Sequence, residues 1–327
     1  MGNVALGLNN LSNIKFGDNQ VSSVYLGTNL VWSSYTYILD LYGPAYHAYS
    51  LRKLSSTYTG KAMRVRRLTS TPSAVTTTVD VAFDSNNRVS LDSAINFISG
   101  SPTTAGNLGQ FAAAVASGYT NPDGVNTNMD IFVVTWFDQS GNTKNPTQAS
   151  TPLQPKIVSA GILEGIDGSA GVRFTSASSQ FLNLIDSSTS YNNMSCYALG
   201  NSLSATVNTS IYGQGHFGVN ARLFLPQGPN ISYNTFDTFP IADITANVDR
   251  LYELICGAAT TSAYSNGTQS SVVSVPSVSV ANIYIRIGAN GSPSVFMNGH
   301  VKEVIAFIGT ANRTNIETNI NQYYTVW

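Results

Sequence analysis

From residue 131 to residue 308 the chain is a succession of short apolar or alternating runs set between Gly, Asn and Ser turns. That spacing constrains the fold more than any other feature. The run at 131–137 is nearly all apolar and is followed by Asp138, Ser140, Gly141, Asn142, Asn145 and Pro146. It reads as a strand buried on both faces that enters a tight polar loop. Runs at 155–158, 171–174, 181–184, 194–199, 210–212, 221–225, 250–257, 271–280, 295–297 and 301–308 read as further strands. Segment 282–288 alternates, with Ile283, Ile285 and Ile287 facing one way and Tyr284 and Arg286 the other. Short strands punctuated in this way predict an antiparallel sandwich. Residues 312–324 place Ile316, Ile320 and Tyr323 at helical spacing behind Asn312 as N-cap, which predicts a terminal helix lying on the sandwich. Upstream, 62–67 and 76–83 read as strands, 48–54 and 91–98 as short helices, and 111–116 as a helical turn.

A different pattern opens the chain. Three ten-residue units, 4–13, 14–23 and 24–33, each carry apolar first and third positions, then Gly, then Asn two residues on, then an apolar residue. Each unit predicts a strand, a turn that tolerates positive φ, and a return strand. Three such units are too small to bury a core alone. Residues 1–33 are therefore read as a docking module, carried by Leu6, Leu11, Phe16, Val21, Tyr25, Leu26, Val31 and Trp32, ahead of a sandwich domain over 34–327. The segment Val24-Tyr25-Leu26-Gly27 with Val31-Trp32 resembles the opening of many tailed-bacteriophage structural proteins. That resemblance covers about a tenth of the chain. It implies a place in a virion, with other virion proteins as partners.

Charged residues make up 10% of the chain, against about a quarter in ordinary globular proteins. Ser, Thr and Asn fill the gap. The net charge of −1 sets up no field toward nucleic acid or an anionic membrane. Six of the 16 Lys and Arg residues lie between Arg52 and Arg67, and solvated or locally paired arginines are the expected use. Cys196 and Cys256 read as core thiols rather than a disulfide framework. No basic-then-apolar export signal is visible at the start, and no run approaches the ~18 apolar residues of a membrane helix. A virion protein made in the host cytoplasm, with no membrane insertion, is the expectation.

Chemistry-bearing motifs are few. Residues 213–218 match GxGxxG, but 219–225 reads as a strand, so a hairpin loop is the better account. His47, His216 and His300 show no ligand spacing, and no cofactor is implied. Loops 138–142 and 84–87 offer oxygen ligands to a structural calcium ion, yet neither has a regular carboxylate spacing and Asx turns are the default.

The stretches AYSLRKLSSTYTGKAMRVRR (48–67) and TWFDQSGNTKNPTQ (135–148), followed by QPKIV (154–158), together resemble the catalytic domain of α-L-arabinofuranosidase B. The resemblance runs from about Tyr46 to the C-terminus and implies a concanavalin A-like β-sandwich (jelly roll). Related domains recur as non-enzymatic modules in bacterial surface and phage tail proteins. A retaining glycosidase needs two carboxyls about 5 Å apart. The family's nucleophile is a Glu in the second half, and no Glu lies between Glu164 and Glu253 here. Asn290 stands where the resemblance places the acid, and an amide cannot protonate a leaving group. The family's vicinal cysteine pair is also missing.

A non-catalytic sandwich that adheres to host-surface polysaccharide is therefore expected, with Asp138, Asn142 and Asn290 as candidate glycan contacts. Self-association, as a trimer, follows from how fibre proteins assemble. The alternatives are a glycoside hydrolase with a divergent carboxylate pair and a ligand-free decoration protein.

Overall fold

The structure, a computed structural model, describes residues 14–16, 19–21, 23–26, 29–33, 36–67, 77–99, 106–113, 128–166, 168–186, 193–204, 209–216, 219–227, 230–233, 237–240, 245–257, 260–273, 283–290 and 293–327. Two large antiparallel sheets dominate. The larger has 14 strands. From one edge it runs Thr268–Val273, Thr261–Ser265, Arg250–Cys256, Met194–Ser202, Gly299–Ile308, Val172–Phe174, Lys156–Ser159, Ile131–Trp136, Met63–Arg67, Thr78–Val81, Ala94–Ser99 and Gly106–Asn107. Ala45–Ser50 joins it on Gly299–Ile308, and Ile162–Leu163 on Lys156–Ser159. The smaller sheet has six strands: Leu182–Asp186, Ile283–Ile287, Tyr212–His216, Val219–Gln227, Asn230–Tyr233 and Asp237–Pro240.

Apolar residues on the facing sides of the two sheets meet. Trp136, Val172, Phe174, Val304 and Ala306 of the larger sheet share one core with Leu182, Tyr212, Ile285 and Ile287 of the smaller. This is the expected sandwich. The larger sheet also buries part of its other face. There Leu199, Leu251, Ile305 and Phe307 pack against Ile38 of the helix Ile38–Tyr42 and against Ile316 and Ile320 of the helix Arg313–Tyr324. Gly299–Ile308 lies between these two cores, and only its last residue is exposed. Trp136 is fully buried, and Cys196 and Cys256 are buried free thiols.

The second and third ten-residue units fold as expected. Ile14–Phe16 pairs with Asn19–Val21, and Ser23–Leu26 with Asn29–Ser33, each hairpin forming its own two-stranded sheet. The first unit, with Leu6 and Leu11, lies outside the described residues. Residues 213–216 lie within the strand Tyr212–His216, which pairs with Val219–Gln227, so the GxGxxG match does not open a helix; 217–218 lie outside the described residues.

Several local expectations are corrected. Residues 48–54 are not a helix; the strand Ala45–Ser50 runs along Gly299–Ile308. Residues 91–98 are not a helix either. Ala94–Ser99 is a strand with Ile95 and Phe97 turned to the core, and Ile98 is left 51% exposed. In both places a short apolar run fits either period, and strand pairing decides. Residues 295–297 form no strand, only a single bridge from Phe296 to Ala289. The small helix is Leu108–Ala112, closed by a capping box between Asn107 and Gln110. Asn312 does precede the terminal helix, but it caps through a left-handed backbone and not through its side chain. The strand expected over 271–280 is observed as Thr268–Val273, and 274–280 lies outside the described residues.

Candidate functional site: the outer face of the six-stranded sheet

Alternation along Ile283–Ile287 sends Ile285 and Ile287 into the core and leaves Tyr284 and Arg286 on the outer face. In the neighbouring strand Asn183 is in register with Arg286, and Ile185 with Tyr284. On the other side the partners of Arg286 and Tyr284 are Gly213 and Gly215, which bring no side chain over the face. Arg286 Nε donates to Asn183 Oδ1 at 3.1 Å. Its guanidinium stacks 4.5 Å from the centre of the Tyr284 ring and lies 5.9 Å from that of Phe181. Burial disfavours the charged form and lowers the Arg286 pKa. Phe181 and Phe296 face each other at 6.2 Å and are half-buried, as is Tyr284. Ile185 beside them is 62% exposed.

Two loops connect to this face, one through Thr147 and one through Phe296. In the first, Asp138 is 4% exposed and its carboxylate accepts four hydrogen bonds: from Ala48 N, Ser140 N, Ser140 Oγ and Lys144 N, at 2.8, 2.9, 2.8 and 3.0 Å. Desolvation raises its pKa, against the pull of those donors. Asn142 Nδ2 donates to the carbonyls of Ala45 and Tyr46. The loop returns through Thr147, whose backbone exchanges two hydrogen bonds with Asn183. It also places the Lys144 ammonium 4.3 Å over the Tyr46 ring. In the second loop Asn290, also 4% exposed, accepts from Ser294 N and donates to Ser294 Oγ. The turn it closes brings Phe296 back to Ala289.

Of the three residues singled out from sequence, Asp138 and Asn142 bind the backbone of residues 45–48, on the larger sheet, and Asn290 shapes the turn that carries Phe296. Asp138 and Asn142 share one loop, and Asn290 shapes the other. The aromatic residues and Arg286 were not singled out, although the alternation at 282–288 already placed Tyr284 and Arg286 together. Of the residues assigned to docking, Phe16, Val21, Tyr25, Leu26, Val31 and Trp32 all lie in the two hairpins.

Each of the four glutamates is bound to partners elsewhere. Glu303 pairs with Arg52, and Glu164 binds His300 Nε2 at 3.0 Å and also Ser159 Oγ. Burial raises the Glu164 pKa, but the hydrogen bonds from His300 and Ser159 outweigh it and hold the carboxyl below its usual range. Glu253 and Glu317 lie close together, yet they are buried under the terminal helix with Arg313 between them. At loop 84–87 the Asp84 carboxylate accepts from Asn86 N, Arg88 N and Ser90 Oγ, an Asx turn. Among the described residues, no group of three or more His, Cys, Asp or Glu is placed to hold a metal, and no helix is long and apolar enough to cross a membrane.

The cationic cluster at 52–67 is engaged internally. Arg64 pairs with Asp80, Arg66 binds Gln154 and stacks on Phe132, and Arg67 donates to the Phe111 carbonyl.

No protein-family model matches the chain, and no curated protein sequence matches it. Its shape does match solved structures. A variant GH54 α-L-arabinofuranosidase soaked with 4-nitrophenyl α-L-arabinofuranoside superposes with a TM-score of 0.53 at 16% identity. A GH54 α-L-arabinofuranosidase soaked with a cyclic sulfate inhibitor gives 0.54 at 16% identity. Each match covers 85% of this chain and 62% of the arabinofuranosidase chain. At that identity the likeness is one of fold: the chain is a β-sandwich of the shape found in the GH54 arabinofuranosidases.

Proposed function

We propose that the chain is a tailed-bacteriophage virion protein whose N-terminal hairpins dock to the particle and whose sandwich adheres to host-surface glycan without cleaving it. The observation that carries the adhesion reading is the face built on Phe181, Tyr284, Arg286 and Phe296. Partly exposed rings stack on sugar rings, and amides such as Asn183 hydrogen-bond hydroxyls. The docking reading rests on the ten-residue units, two of which close as separate hairpins. Homotrimeric assembly belongs to the same reading and is checked by light scattering.

A glycan array probed with the whole protein tests adhesion. We expect at least one bacterial surface polysaccharide to bind. The double variant Tyr284→Ala/Phe296→Ala should weaken that binding by tenfold or more, since each stacked ring is worth about 1 kcal/mol beyond its buried area. An array without binders would point to a ligand-free decoration protein, and unchanged affinity in the double variant would move the site elsewhere.

Hydrolysis by a divergent carboxylate pair is the second reading, and what it shares with the arabinofuranosidases is the fold alone. Release of reducing sugar from the bound polysaccharide, abolished by one carboxylate-to-amide change, would establish it.

A further inference from the structure

The terminal helix Arg313–Tyr324 is fastened to the larger sheet through two carboxyl groups and one arginine. Glu253, on Arg250–Cys256, has no solvent exposure, and Glu317 on the helix is 5% exposed. Arg313 Nη1 reaches Glu253 Oε2 at 3.4 Å and also binds Glu317 Oε1. Its guanidinium is stacked 3.9 Å from the centre of the Tyr264 ring, which fixes it in place. Glu253 Oε1 meets no hydrogen-bond donor among the described residues, and the two carboxylates share one nitrogen, Arg313 Nη1. Two ionised carboxylates have only acceptors to offer one another, so a proton on one of them is what would let the pair bond directly. One guanidinium leaves the pair with a single uncompensated negative charge if both ionise.

Among the described residues, the remaining groups facing Glu253 do not supply a second cation. From the sheet these are the Tyr197 phenol and the Tyr264 ring, and from the helix Arg313 and Glu317. Desolvation, and then the hydrogen bond and charge of Glu317, hold the Glu253 carboxyl well above the ordinary carboxylate range.

The same helix grips the root of the N-terminal region. Asn319 Nδ2 donates to the Thr36 carbonyl at 3.0 Å, and Asn319 Oδ1 accepts from the buried Arg52. Thr36 lies three residues beyond the last hairpin strand, Asn29–Ser33.

We propose that the Glu253–Glu317 pair, with Arg313, is a proton-operated latch: one shared proton keeps the terminal helix on the sheet, and its loss lets the helix lift and frees the root of the N-terminal hairpins. The sign follows from linkage. A carboxyl whose pKa is raised on folding binds its proton more tightly in the closed form. Closure is therefore strongest at acid pH, and it weakens as pH rises from the ordinary carboxylate pKa toward the raised one.

Hydrogen exchange of amides 313–324 in the full chain, followed from about pH 5 to about pH 9 and corrected for intrinsic exchange, reads the latch directly. In the wild type the opening constant should rise by up to about tenfold per pH unit. Glu253→Gln, which keeps the hydrogen-bonding shape without the titration, should flatten that rise, and Glu317→Gln should reduce it. Amides in Ile131–Trp136, in the central sheet, should show no such pH dependence in any of the three. If the wild type shows no rise, or if both variants keep the full rise, the latch is wrong. Using two variants on opposite elements keeps the test decisive if one of them fails to fold.

Discussion

Arg52 shows how this chain uses charge sparingly and inside. It has no exposure, yet its guanidinium binds Glu303 through Nε and Nη2 at 2.7 and 2.8 Å, reaches Asn319 through Nη1, and lies 4.7 Å from the centre of the Tyr323 ring. Ser50 Oγ and the Tyr324 hydroxyl donate to the same Glu303 carboxylate. Removing one member leaves a buried charge without its partner, whereas removing both leaves no charge there, only the hydroxyls of Ser50 and Tyr324 and the Asn319 amide to be satisfied. We therefore expect Arg52→Met to cost about 3–5 kcal/mol in urea unfolding. The double change Arg52→Met/Glu303→Leu should recover part of that loss, and a double variant as unstable as the single one would show that the pair is essential to packing. Little of this network could be read beforehand. The cluster at 52–67 was expected to be solvated or paired locally, but Arg52 is buried and its partner lies 251 residues away.

At the scale of elements, the 138–147 loop links fold and face. Asp138 anchors its start by four accepted hydrogen bonds, and Thr147 at its end pairs with Asn183, the cross-strand neighbour of Arg286. Hydrogen bonds to a charged group contribute about 1.5–3 kcal/mol each, and water compensates part of the loss when the group is removed. Asp138→Ala should destabilise the protein by about 3 kcal/mol in thermal or urea unfolding. It should also weaken glycan binding without altering any ring on the face, and full affinity at lower stability would show that the loop does not set the face. That Asp138–Asn142 forms a turn was legible because Asx and Gly residues carry their conformational preference locally. The strand at 283–287 was legible for a similar reason, since its period of two matches its burial. What the sequence hid were the elements whose state depends on a partner. Ala45–Ser50 is a strand because Gly299–Ile308 supplies its ladder, and Ala94–Ser99 because Thr78–Val81 does. Phe181 and Phe296 were missed because they meet only when a bridge and a turn from separate parts of the chain close.

For the whole molecule, the hairpins and the sandwich are distinct in their pairing, as neither hairpin shares a sheet with the rest. Deleting residues 1–33 should leave the unfolding midpoint of the sandwich within about 1 kcal/mol of the full chain, while the truncated protein no longer joins particles. A truncated chain that still assembles would refute docking through the repeat. The central strand has a consequence of another kind. Gly299–Ile308 pairs with Ala45–Ser50, Val172–Phe174 and Met194–Ser202, segments spread across the preceding 260 or so residues. As the chain leaves the ribosome, those three wait with one open ladder edge each until residues 299–308 emerge. The middle of the sheet then closes in one late, long-range event, so slow folding and a need for protection during synthesis are built into the order of the strands.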